Sequence, residues 1–178
     1  MQVQFATLED IDNVLLLQSK YHIDTIEEKD KKDGFITTLF TKDDLSELIK
    51  EKGLFIVKKD GKIIAYAMAA SWRYWSKWAM FKYMINGLNV TLYKNESVTI
   101  NNSYQYGPIC IDKYMRNTNV IKNLFTFLTN QMSKKYPILI TFINKTNKRS
   151  YEAHTKKLGL KVIDEFEYNN QEYYKLAF

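Results

Sequence analysis

The residues best suited to chemistry lie in one stretch, Tyr106-Gly-Pro-Ile-Cys-Ile-Asp-Lys-Tyr-Met-Arg-Asn-Thr-Asn-Val-Ile-Lys-Asn-Leu-Phe125. It reads as an apolar strand, a basic turn and a helix. A helix that begins straight after a strand presents open backbone N–H groups and a positive dipole end. That is a cradle for phosphate. Arg116 in the turn adds a planar fork that fits a pyrophosphate. The layout alone is not selective, because any strand–turn–helix shares it.

Other reactive groups stand around this stretch. Cys110 would serve as a nucleophile forming an acyl-enzyme, with His154 as its base. Its alternation with Ile109 and Ile111 instead turns it to the other side of the strand, as a buried inert thiol. Asp112 ends the strand and is a candidate for a water-mediated base. Tyr104 and Tyr106 precede the apolar run, either lining an acceptor or packing. His154, with an unperturbed pKa near ~6.5, suits proton donation to a leaving thiolate; the competing reading is a surface helix histidine. His22 reads as structural, a cation at a helix C-terminus.

The elements that must position these residues follow from periodicity. Residues 2–6 alternate as a strand, and Thr7-Leu-Glu-Asp10 resembles a capping box opening a helix to Tyr21. Thr41-Lys-Asp-Asp44 is a second such cap, and Gly53 stops its helix. A hairpin turns at Asp60-Gly61 between strands 54–57 and 63–70. Trp72 to Leu88 is expected as one aromatic amphipathic helix, with Trp72, Trp75, Trp78, Phe81 and Tyr83 as a core stripe, an acceptor wall or a dimer face. Residues 92–102 read as irregular and 104–111 as a strand. A helix follows over 119–135, a buried strand over 138–143 and a helix over 150–158 stopped by Gly159. A terminal hairpin turns at Asn169-Asn170. The order β-α-α-β-β-α-β-α-β-α-β-β predicts a mixed sheet with helices on its faces, an α/β (α+β) architecture. No G-x-G-x-x-G or Walker loop is present.

Composition narrows the classes. The chain has 178 residues, one domain's worth (1–178), 46% hydrophobic and 26% charged. With 6 Gly, 2 Pro and 1 Cys it is no collagen, low-complexity or disulfide scaffold. One Cys and 2 His cannot build an ordinary four-ligand zinc site, so no metal is expected. A single thiol points to a reducing, cytoplasmic setting. No apolar run approaches the ~20 residues of a membrane helix, so no membrane is expected. The net charge of +6 suits an anionic partner. The basic residues are scattered, however: Lys29, Lys31 and Lys32 sit among Asp30 and Asp33, and Lys58 and Lys59 flank Asp60. No nucleic-acid stripe results.

The stretch after Ile109 resembles the acetyl-CoA motif of the GNAT (GCN5-related) N-acetyltransferases, Arg/Gln-x-x-Gly-x-Gly/Ala after an apolar strand. Arg116 matches its first position, Asn119 stands at the first Gly and Ile121 at the second. Asn147-Lys-Arg-Ser150-Tyr-Glu-Ala-His154-Thr-Lys-Lys-Leu-Gly159 resembles the family's other block, with Leu158-Gly159 one residue further on than usual. Either His154 or Thr155 therefore takes the place of the family's catalytic Tyr. The resemblance implies a mostly antiparallel GNAT-like sheet flanked by helices on both faces, and acetyl-CoA as co-substrate. It implies that Ile109, Cys110 and Ile111 run along the pantetheine arm, the first and last through their backbone groups. Arg116, Asn117, Thr118, Asn119, Val120 and Ile121 would hold the pyrophosphate, with Asn147 and Ser150 also on the cofactor. His154 and Tyr106 would be catalytic. A strand N–H would polarise the thioester, an oxyanion-hole effect of ~2.7–4 kcal/mol. The expected activity is direct acetyl transfer to a primary amine of a small-molecule or peptide acceptor, from a chain that could pair as a homodimer. The alternative is a non-catalytic module of the same fold, because Asn117 and Asn119 replace loop glycines. Asn tolerates positive φ best among the non-glycine residues, so the turn can survive.

Overall fold

A computed structural model describes residues 1–31 and 34–178; the charges expected at Lys32 and Asp33 lie outside the described residues. The elements, in chain order, are β1 (Gln2–Phe5), α1 (Ile11–Tyr21), α2 (Glu28–Lys31), α3 (Lys42–Lys50), β2 (Leu54–Lys59), β3 (Lys62–Ala70), α4 (Trp72–Trp75), α5 (Ala79–Asn86), β4 (Leu92–Tyr93), β5 (Glu96–Ser97), β6 (Ser103–Ile111), α6 (Val120–Met132), β7 (Ile138–Asn144), α7 (Lys148–Glu152), β8 (Lys161–Tyr168) and β9 (Gln171–Ala177). Seven strands form one sheet in the order β1-β2-β3-β6-β7-β9-β8, and β4-β5 is a separate hairpin. Pairs β1–β2, β2–β3, β7–β9 and β8–β9 are antiparallel, and β6–β7 is parallel. The mixed, mostly antiparallel sheet is the expected one.

The chain divides into two compact units, 1–69 with 107–128 and 70–106 with 129–178. In the first unit, Leu54–Val57 of β2 are buried at every position, which requires cover on both sheet faces. Phe127 of α6 meets Phe5 and Phe55 on one face. Residues next in line to Phe55 point to the other face. Both capping boxes form, with the Thr7 and Thr41 amides donating to Asp10 and Asp44. Segment 34–41 is tied to α1: Gln18 donates to the Phe40 carbonyl and accepts its N–H, both at 3.1 Å, and His22 Nε2 lies 3.3 Å from the Thr37 carbonyl. His22 is thus structural.

In the second unit, the helix expected over 72–88 is broken. Trp78 is extended (φ −100°, ψ 138°) and caps α5. Its ring packs against Tyr74, Trp75 and Phe81 at 5.5, 5.6 and 6.2 Å. Tertiary packing of four aromatic rings outweighs the helical spacing. The segment expected to be irregular contains β4–β5, because Lys94 and Asn95 both take positive φ and close a two-residue turn. Asn169 and Asn170 do the same between β8 and β9. Among the described residues, no helix is long and apolar enough to cross a membrane, and no group of three His, Cys, Asp or Glu is placed to hold a metal.

Candidate active site

In the first unit the site grows from the end of β6. Gly107 sits at φ +103°, a conformation open to glycine. Beyond it Cys110 is buried, with Ile109 and Ile111 half-buried on either side. Cys110 Sγ lies 3.9 Å from the Leu17 carbonyl of α1, so its side chain is on the α1 side of the strand. Burial pushes its thiol up to about 12, which the nearby Arg116 only partly offsets. A thiol so poised is not a nucleophile at neutral pH.

Asp112 is no free base. Its Oδ2 meets Lys20 Nζ at 2.6 Å and its Oδ1 accepts the Tyr114 N–H. Partial burial raises this carboxyl, but Lys20 and that N–H together hold it below the ordinary value. The residue caps the turn instead. Lys113 N–H donates to the Tyr21 hydroxyl at 2.7 Å, and Arg116 Nε donates to the Ile111 carbonyl at 3.1 Å. The Arg116 guanidinium lies over the Tyr21 ring, 4.9 Å from its centroid. The fork expected to face a pyrophosphate is therefore partly committed to fastening the turn onto α1.

The turn itself departs from the sequence expectation at one point. Asn117, at φ +66°, is its left-handed residue; Asn119 is not among the positive-φ residues. Thr118 Oγ1 donates to the Met115 carbonyl at 2.6 Å and accepts the Val120 N–H at 3.3 Å. The Asn119 carbonyl takes the Asn123 N–H, the first turn of α6. The remaining first-turn amides, Ile121 and Lys122, have no intrahelical acceptor by construction. They stand at the positive end of a 13-residue helix.

In the second unit, Asn147 Oδ1 accepts the Ser150 N–H and caps α7. Both residues, expected on the cofactor, here start a helix. After Glu152 the chain widens into a π-turn, Ala153–Lys157, closed by Leu158 N–H on the Ala153 carbonyl. This extra residue accounts for the one-residue displacement of Leu158-Gly159 seen in the sequence. It also separates the two candidates. Thr155 Oγ1 bonds its own Tyr151 carbonyl, whereas His154 is buried. His154 is therefore not a surface histidine.

His154 Nδ1 lies 2.7 Å from the Ser150 carbonyl. A carbonyl only accepts, so Nδ1 carries the proton and Nε2 the lone pair. Desolvation holds the imidazole below its ordinary value, against a smaller opposing effect of that bond. The Tyr106 ring stands 5.6 Å away, edge-on, and burial pushes its phenol well above the usual range. Tyr104 is buried too, with its phenol raised for the same reason.

Sequence reasoning passed over Gln105. The β6–β7 ladder ends at the pair Gln105–Ile140. One residue on, the Tyr106 carbonyl takes two side-chain donors, Gln105 Nε2 and Thr141 Oγ1, both at 2.6 Å. The signal in the sequence was polar Ser103 and Gln105 alternating with Tyr104 and Tyr106.

Similarity to solved structures extends over almost the whole chain. An acetyltransferase of the GNAT family from Streptococcus pneumoniae matches at TM-score 0.67 and 12% identity, over 99% of this chain and 97% of that one. The chain has the GNAT fold. The ribosomal-protein-alanine N-acetyltransferase of Brucella melitensis matches at 0.64 and 12%, over 100% and 99%. Salmonella typhimurium yncA, solved with its cofactor acetyl-CoA, matches at 0.64 and 11%, over 100% and 92%. No protein-family model matches the sequence, and no curated protein does. At such identities it is the GNAT fold that the chain shares with these structures.

Proposed function

We propose that the chain is an acetyl-CoA-dependent N-acetyltransferase, one domain over 1–178, that moves acetyl directly to a primary amine. The observation that carries this reading is the turn after β6, where open amides at the start of α6 follow an apolar strand in a GNAT fold. Those donors fit a pyrophosphate. Ile121 and Lys122 N–H, with the turn Asn117–Thr118–Asn119, would hold it, and Ile109 and Ile111 would orient the pantetheine. Bound acetyl-CoA supplies an activated acyl thioester. His154, anchored through Nδ1–H on Ser150, offers Nε2 to take the amine's proton; its lowered pKa keeps the ring neutral, which suits a base better than the acid its ordinary pKa suggested. Tyr106 keeps its phenolic proton, the state a general acid needs. The cytoplasm is the setting proposed, where a lone thiol stays reduced.

Calorimetric titration with CoA tests this. Micromolar binding supports the enzyme, and no binding at millimolar CoA supports the non-catalytic module. CoA release across a panel of amines then identifies the acceptor.

A further inference from the structure

In the second unit, Lys175 of β9 stands directly across from Asp164 of β8 and Phe142 of β7. Its neighbour Tyr174 meets Tyr151 of α7 at 4.7 Å. Alternation therefore turns Lys175 to the other face of the sheet, where Phe142 meets Phe81 of α5 at 5.7 Å. His154 belongs to the π-turn that continues α7, so this face is not the His154 side. Lys175 is 6% exposed. An ammonium has three N–H donors. One goes to Thr91 Oγ1 at 3.1 Å and one to Asp164 Oδ2 at 3.0 Å, and the third has no acceptor among the described residues. Lys175 also lines a half-open cavity of about 540 Å³, with Tyr83, Met84, Asn86, Asp164 and Phe166. That size falls within the roughly 300–1,000 Å³ of small-molecule sites. A buried ammonium is costly when a donor goes unmet, and an apolar residue at 175 would close this face without that cost.

The walls specify the ligand. Asp164 sets the opposite charge beside Lys175. Its Oδ1 takes the Glu165 N–H at 2.9 Å, its side chain is 52% exposed, and a carboxylate keeps acceptor sites beyond two. Glu165 gives its own carboxylate to Lys145 at 2.6 Å. α5 ends at Asn86 on the cavity wall, and the carbonyl end of a helix favours a cation. The polar part of the cavity thus holds a donor for an anion beside an acceptor for a cation. Next to them the rings of Tyr83 and Phe166 meet at 5.8 Å, and Tyr83 is 46% exposed. With Met84 they form an apolar wall. We propose that this cavity is a second ligand site, and that it binds a free α-amino acid with an aromatic or large apolar side chain. The ligand carboxylate takes the third N–H of Lys175, its ammonium meets Asp164, and its side chain lies against Tyr83, Met84 and Phe166. A lone carboxylate would face Asp164 and a lone amine would face Lys175, each of like charge; the zwitterion satisfies both. The site stands whether or not the chain binds CoA.

The test is calorimetric titration of L-phenylalanine into the full chain without CoA. Phenethylamine, which lacks the carboxylate, and 3-phenylpropanoate, which lacks the ammonium, are the comparison probes. Wild type is expected to bind L-phenylalanine saturably, and each probe at least about 10-fold more weakly. Lys175→Met is expected to weaken L-phenylalanine binding by about 10-fold. Asp164→Asn, at a half-exposed position, is expected to weaken it by a similar factor, and serves alone should Lys175→Met not fold. In ¹H–¹⁵N spectra the amino acid should shift the amides of residues 83–87 and 164–166. No saturable binding below roughly 10 mM overturns the proposal. So do probes that bind as tightly as the amino acid, unchanged affinity in either folded variant, or amide shifts that leave both segments untouched.

Discussion

Cys110 and His154 are both buried, and burial moves their proton equilibria in opposite directions. The charged form of each is the one penalised. For Cys110 this suppresses the thiolate, its thiol pushed up to about 12, which weighs against an acyl-enzyme route. Cys110→Ala should therefore keep most of the transfer activity and lose about 1–2 kcal/mol of stability through a small cavity. Intact-mass spectrometry after acetyl-CoA treatment should show no adduct at Cys110; an adduct discharged by amine would reverse that assignment. For His154, the unfolded chain titrates near ~6.5, while the folded value is lower. Between the two values the unfolded state binds the extra proton. Stability is then fully present above ~6.5 and falls as pH drops toward the folded pKa, by at most about 1.4 kcal/mol per pH unit. His154→Gln should flatten that limb in urea titrations at pH 5 and 7.5. The same variant should lower kcat by roughly 10²-fold if Nε2 takes the amine's proton.

At the scale of elements, the turn between β6 and α6 is set by one left-handed residue. Asn117 at φ +66° can be replaced by Gly without strain. Asn117→Ala should cost less than about 1 kcal/mol, because both residues carry a Cβ and alanine lacks only the short polar side chain that steadies asparagine in that conformation. Asn119→Gly should gain nothing in CoA affinity, since Asn119 is not left-handed. Thermal melts and CoA titration of the three variants check this, and a gain for Asn119→Gly would move the critical position back to where the motif suggested it. A second junction is set by close approach. A Cβ on Gly53 would lie 2.5 Å from the Ala69 carbonyl and 2.6 Å from Leu48 Cδ1. Gly53→Ala should therefore destabilise by about 1–3 kcal/mol, readable in denaturant midpoints.

For the whole molecule, charge is a term the individual contacts do not show. A net charge of +6 attracts a polyanionic cofactor at long range. Near the turn, Lys20 and Lys113 are already paired with Asp112 and Asp30, and Arg116 with its own strand. CoA affinity should fall as salt rises from about 0.05 to 0.5 M, since the Debye length shrinks from more than ~10 Å to a few. Affinity that stays flat would assign the cofactor's hold to amide geometry alone.

Periodicity, caps and turn residues were sufficient for the seven strands of the main sheet, the two capping boxes and the hairpins at Asp60-Gly61 and Asn169-Asn170. Each rests on contacts within a few residues, so the local sequence contains the whole cause. The strand–turn–helix proposed to bind phosphate was legible for the same reason. The β4–β5 hairpin was not, nor were three further features. Trp78 breaks its helix because four rings pack together, and a helical wheel cannot weigh that packing. His154 rather than Thr155 turns inward because a π-turn absorbs one residue, a choice made by Leu158 packing and the Ser150 carbonyl. Gln105 became visible only where β6 leaves β7, because the end of a ladder depends on strands distant in sequence. Composition and spacing determine which groups the chain owns and which local shapes they favour. The tertiary fold alone decides which of those groups lose water, and with it their pKa values and their partners.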